Sequence, residues 1–234
     1  MSECPTLIQG TRLRATLVDS CGAPVGGDCS TIVTDGFISV AMTDNIESPD
    51  EFKVKNAGGR FCVNQRSTPL LNWIEAAITL CQVSPELLSM LSGAPIVYDD
   101  SSPTPQAVGF QTDSQTYASA TFALELWTNI GRARGSAACP SGGTRYGYLL
   151  LPWLIEGTIG DITIENGPVN FVINTITSDG NDWGTGPYDV INDAAGDPSP
   201  LLEALPTTTH RHFQLTSLAP PEVVCGCQEL IIPS

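Results

Sequence analysis

The chain has 234 residues and a mass of 24.8 kDa, enough for one large domain or two small ones around a substantial core. With 41% hydrophobic and only 15% charged residues it is not disordered throughout, and 22 Gly with 18 Pro favour turn-rich β structure over long helices. Ten Lys and Arg against 25 Asp and Glu leave a formal net charge of −15, which argues against wrapping a nucleic acid by phosphate neutralisation.

Residues 1–10 contain neither the basic stretch nor the apolar core of a secretory signal, so we expect an N-terminal arm on a protein made in the cytoplasm. Between 11 and 19, Leu13, Ala15 and Leu17 alternate with Arg12, Arg14 and Thr16, the pattern of a half-buried strand. A Gly- and Pro-rich loop follows over 20–30. Cys21 and Cys29 flank it and could bridge across it, the alternative being free buried thiols. Further strands are expected at 37–42, 51–55, 61–64 and 71–80.

Ser84-Pro85-Glu86 then combines an N-cap hydroxyl, a proline suited to the first helical position and an acid near the positive dipole end. Leu87, Leu88, Met90 and Leu91 follow, and Gly93 is the stop, so a short amphipathic helix is expected over 84–93, covering an edge or end of the sheet system. A loop over 99–106 leads to strands at 107–111 and 121–127. Residues 131–144 are too long for a tight hairpin and read as a mobile tip or a segment ordered by a neighbour. Strands are expected again at 146–151, 159–164 and 169–177, the last two joined as a hairpin through Glu165-Asn166-Gly167-Pro168. The apolar run from Tyr146 to Ile155 falls short of the ~20 residues a membrane helix needs, so no membrane partner is expected. Loop composition dominates 178–208, a strand is expected at 211–218, and 219–234 forms a C-terminal arm. Its end, Leu230-Ile231-Ile232, calls for docking on this subunit or another and is a candidate inter-subunit contact. The single domain is expected to span 11–218.

Chemistry-bearing patterns are weak. His210, His212, Cys225 and Cys227 offer zinc-compatible ligands, but single-residue spacings do not form the usual knuckle, and surface histidines with ordinary thiols are the simpler reading. Ser178 to Gly184 approaches a calcium loop, yet Trp183 stands where an oxygen ligand belongs and the closing Glu is missing, so Trp183 reads as a hydrophobic pin. In Thr34-Asp35-Gly36 the hydroxyl precedes the acid, unlike the acid-protease pattern. With no nucleophile elbow and no phosphate loop in the sequence, neither an enzyme nor a cofactor is expected. The strand acids Glu75, Glu125, Asp161 and Glu165 alternate with apolar neighbours and face either outer solvent or an aqueous passage.

One resemblance spans Thr11 to Pro220. It is carried by Thr11-Arg-Leu-Arg-Ala-Thr, Cys21-Gly-Ala-Pro-Val, Val33-Thr-Asp-Gly-Phe-Ile-Ser-Val-Ala, Pro85-Glu-Leu-Leu-Ser-Met-Leu-Ser-Gly, Phe122-Ala-Leu-Glu-Leu-Trp, Tyr146-Gly-Tyr-Leu-Leu-Leu-Pro, Thr163-Ile-Glu-Asn and Asp179-Gly-Asn-Asp-Trp-Gly-Thr-Gly-Pro-Tyr-Asp-Val. In order, these segments resemble the major tail protein of long non-contractile-tailed phages of actinobacteria. The resemblance implies a mainly β fold, a β-sandwich or small β-barrel with one flanking helix and extended arms. It further implies hexameric rings stacked into a virion tail tube, contacts with terminator and distal tail proteins, and double-stranded DNA passing through without specific binding. On that reading Glu75, Glu125, Asp161 and Glu165 are candidates for the lumen, where acids would repel the phosphates. The alternative is a virion-associated β-sandwich module whose loops recognise a ligand or surface.

Overall fold

The computed structural model describes residues 6–101, 103–131, 145–164, 166–167 and 169–232. The chain is mainly β, as expected. Its strands are β1 (Thr6–Leu17), β2 (Gly27–Thr34), β3 (Phe37–Glu47), β4 (Glu51–Lys55), β5 (Phe61–Arg66) and β6 (Leu70–Leu80), followed by helix α1 (Pro85–Ser92). After the helix come β7 (Ile96–Asp99), β8 (Gln106–Phe110), β9 (Phe122–Gly131), β10 (Tyr146–Ile159), β11 (Phe171–Thr177), β12 (Ile191–Asn192), β13 (Pro198–Ser199), β14 (His212–Thr216) and β15 (Gln228–Leu230). A nine-stranded sheet runs in the order β15-β2-β1-β9-β10-β11-β6-β3, with β14 also paired to β10. Each of its pairings is antiparallel.

Strand β10 organises this sheet. It pairs with β9 on one side, while its other side takes β14 over Tyr146–Leu150 and then β11 from Leu154 onward. Pro152 falls at this changeover, between the last β14 pair and the first β11 pair, where a missing N–H breaks no ladder bond. The sheet thereby folds over one core. Leu13, Ala15, Ile32, Leu124 and Leu126 from the β1/β2/β9 half meet Ala76, Ile78, Leu80 and Ile173 from the β6/β11 half.

Helix α1 seals this core. The Ser84 hydroxyl accepts from the Leu87 amide at 3.2 Å, Pro85 occupies the first turn, and Gly93 ends the helix with φ 75°. Leu87, Leu88 and Leu91 are buried, as their spacing predicts. The helix seats on β10 at Gly157, where a Cβ would lie 1.7 Å from the Leu91 carbonyl oxygen.

Several expectations change. The 20–30 loop ends at β2, whose Thr31 is buried because its hydroxyl donates to the Ala15 carbonyl at 3.0 Å. The expected 159–164 strand does not form: β10 runs through to Ile159, and the hairpin to β11 has a longer connection that includes Glu165 and Pro168, both outside the described residues. The 131–144 segment lies outside them beyond Gly131. Residues 178–208, read as loop, pack a second core against the outer face of β9 and β10: Trp183, Val190, Leu201 and Leu205 cover Ala123, Trp127, Tyr148 and Leu150. Trp183 is the expected pin. Asn181 braces it, donating its amide to the carbonyls of Pro206, Thr207 and Thr209. Consequently β1 is buried on both faces over its residues 13–16, where Arg14 and Thr16 are hidden along with Leu13 and Ala15.

Candidate functional site

The strand acids separate into distinct environments. Glu125 projects from the outer face of β9, as alternation dictates, but that face lies under the second core, and Glu125 is 0% exposed. It therefore does not face a lumen. Arg14 on β1 stands opposite Glu125 in the β1/β9 register. Its Nε donates to one carboxylate oxygen at 2.6 Å and Nη2 to the other at 2.8 Å, while the Tyr148 hydroxyl donates at 2.6 Å. The guanidinium lies over the rings of Tyr188 and Trp127. Thr16, Thr31 and the Tyr188 hydroxyl complete the network. Burial, reinforced by the Glu125 charge, pushes the Tyr148 phenol well above its ordinary range and Tyr188 up to about 12. Burial works against the Arg14 charge, but Glu125 outweighs it and raises that pKa further. The group is a sealed structural joint between the sheet and its 178–210 cover.

Glu75 is exposed, on the outer face of β6. Among the described residues no layer covers that face. Register rows Thr43–Glu75–Ile176 and Ala41–Ala77–Asn174 cross β3, β6 and β11, and Asn174 continues to Thr158 on β10. Small side chains leave an open concavity of about 670 Å³, to which Glu156 adds a second carboxylate. Glu156 has φ 57°, a left-handed conformation at the β10 register shift between Ile155 and Thr158, next to the close Gly157–helix approach. Asp161 is exposed just beyond β10. Glu165 lies outside the described residues.

The possible Cys21–Cys29 bridge does not form; Cys29 pairs instead with Cys227, a link across 198 residues of sequence. The cause is the C-terminal segment: β15 adds to the edge of β2, pairing Gln228 with Thr31 and Leu230 with Gly27, which brings Cys227 to Cys29. Cys21 sits in a turn whose Cys21 and Ala23 amides both donate to Asp19, and its thiol is free and exposed. The same pairing buries Leu230 within its own chain, withdrawing it as an inter-subunit contact, whereas Ile231 and Ile232 remain exposed.

His210 is buried rather than at the surface, its Nδ1 2.8 Å from the Thr177 hydroxyl. His212 Nε2 contacts Gln214 Oε1 at 3.1 Å, and Cys227 is committed to its disulfide. Among the described residues no group of three or more His, Cys, Asp or Glu is placed to hold a metal, and no helix is long and apolar enough to cross a membrane.

Two features escaped the sequence reading. Glu156 directly follows the apolar run Tyr146 to Ile155, and no motif announces the bulge there. The β4/β5 hairpin was expected as two strands, and the fold leaves all of its strand residues exposed. No protein-family model and no curated protein matches the chain.

Proposed function

We propose that this chain is a structural subunit that self-assembles into stacked rings, forming the tail tube of a long-tailed phage and delivering the genome through it. The observation that carries this reading is the unfinished state of one half of the sheet. Strand β3, eleven residues long, ends the strand order, and among the described residues nothing pairs with its other side and the adjoining face of β3, β6 and β11 is open. A solitary protein normally shortens, covers or charges such an edge, whereas an assembling subunit completes it with a neighbour. The overall charge is consistent with a conduit: duplex DNA carries one negative charge per about 1.7 Å of axis, and an acidic wall repels it where a basic one would hold it. Glu75 and Glu156, on the open face, are the acids best placed to line such a passage. Asp161 remains a third candidate.

The concavity beside Glu75 favours a second reading, a ligand-binding module. Assembly discriminates between the two. Concentrated protein that forms rings or tubes supports the first; a persistent monomer that captures glycan or protein supports the second. Within the first, tubes of Glu75→Lys should form normally yet pass DNA more slowly at low salt, with the defect lessening as salt rises. Passage at the wild-type rate in low salt removes Glu75 from the lumen.

A further inference from the structure

Among the described residues, the β4/β5 hairpin is an arm without a seat. Its strands pair Glu51 with Arg66, Phe52 with Gln65, Lys53 with Asn64 and Val54 with Val63, so Phe52, Val54 and Val63 share one face, while beyond a register shift Phe61 stands opposite Lys55, whose ammonium lies over its ring. Phe52, Val54 and Val63 are between 43% and 62% exposed and Phe61 is 53% exposed, so the apolar side chains of this two-stranded element stand in solvent. At its root, Ile46, Leu70 and Leu71 of β3 and β6 are exposed as well. The tip is shaped: the Asn56 side chain accepts from the Gly58 and Arg60 amides, and the Asn56 amide donates to the Arg60 carbonyl. A two-stranded hairpin whose apolar side chains stay largely in solvent is marginal in water by itself, which calls for a partner.

Charge identifies the partner. Residues 51–66 hold four of the chain's ten basic residues, Lys53, Lys55, Arg60 and Arg66, and one of its 25 acids, Glu51. A basic, apolar arm thus extends from an otherwise strongly acidic chain. The complementary surface is already present on every other copy of the same protein. Arm-to-arm pairing would oppose eight cations, so a two-fold contact between identical arms is disfavoured. The arm of one copy must instead meet a different, acidic surface of the next.

We infer that residues 51–66 are the donor arm of a head-to-tail contact, docking the Phe52/Val54/Val63 face, with Phe61 and the flanking cations beside it, on the acidic body of a second copy. Such heterologous contacts close into rings or propagate as filaments and do not stop at a dimer. The inference rests on the self-assembly reading above and assigns its donor.

The test combines Phe52→Ser with Lys55→Glu and Arg60→Glu in the full chain, all on exposed positions. Circular dichroism and the thermal midpoint should match wild type. Assembly, followed by sedimentation velocity and negative-stain microscopy, should require at least about tenfold more protein. Because the variant keeps its acceptor surface, adding a minor fraction of it to wild type should also shorten the assemblies, capping them as a chain terminator. A misfolded copy would not cap. Amide exchange in 51–66 should slow on wild-type assembly. Equal assembly of variant and wild type overturns the inference, as does a monomeric variant that fails to cap. If wild-type protein retards duplex DNA, and the variant loses that binding while assembling normally, the arm is a nucleic-acid contact and the inference is likewise overturned. A wild-type protein that stays monomeric at every concentration overturns the self-assembly reading together with this one.

Discussion

Replacing Arg14 by Met isolates the energetic cost of the joint between the sheet and its 178–210 cover. Met retains much of the apolar contact with Trp127 and Tyr188 but removes two charge-assisted hydrogen bonds to Glu125, at 2.6 and 2.8 Å, leaving that carboxylate 0% exposed with only the Tyr148 hydroxyl as donor. Removing one partner of a buried ion pair costs about 3–5 kcal/mol, since the orphaned charge keeps its desolvation penalty. Replacing the whole group, Arg14→Met with Glu125→Met and Tyr148→Phe, removes penalty and compensation together. That triple variant should lie within about 2 kcal/mol of wild type. Urea unfolding followed by tryptophan fluorescence gives both values, with Trp127 and Trp183 packed within the same joint. A loss below about 1 kcal/mol for Arg14→Met, or a triple variant as unstable as the single, would refute the claim that Glu125 is a sealed structural acid.

Alkali should weaken the same joint. The native pKa values of Tyr148 and Tyr188 stand above their unfolded value of 10, so stability is fully present below about pH 10 and falls by up to about 1.4 kcal/mol per pH unit per tyrosine as pH rises toward 12; urea midpoints at stepped pH should show this, and a flat profile would contradict it. Cys227→Ser should cost about 2–5 kcal/mol and free β15, with faster amide exchange over 27–34, while peptide mapping of unreduced wild type should recover Cys29 linked to Cys227 and leave Cys21 alkylatable. Gly157→Ala should cost about 3 kcal/mol or more, because its methyl group would collide with the Leu91 carbonyl; a neutral thermal midpoint would mean that α1 does not seat there.

Local chemistry was legible in the sequence where it acts locally. The Ser84-Pro85-Glu86 start and Gly93 stop define α1 because capping and dihedral preference need no distant partner. Alternation placed Leu13 and Ala15 inward and Glu125 outward correctly. It could not tell that the outward face of β9 lies beneath residues from 178 onward, far along the chain, so an acid read as facing water became a buried ion-pair partner. The Cys29–Cys227 link was hidden for the same reason, since it depends on β15 joining β2 from the opposite end of the sequence. For the hairpin arm the difficulty reverses: Phe52, Val54, Phe61 and Val63 have the hydrophobicity of core residues, and only the fold shows that they stand exposed. Of the candidate lumen acids, register placed Glu75 on an open face, while nothing local announced Glu156, whose direction is set by a bulge.

The central claim is that this chain is one unit of a larger closed assembly. Electron microscopy of the purified wild-type protein over a range of concentrations tests it most directly. The account predicts rings that stack into tubes with a central channel, Glu75 turned toward that channel and β3 no longer a free edge. A particle that remains a monomer at the highest attainable concentration, with β3 and the β4/β5 arm still in solvent, would contradict it.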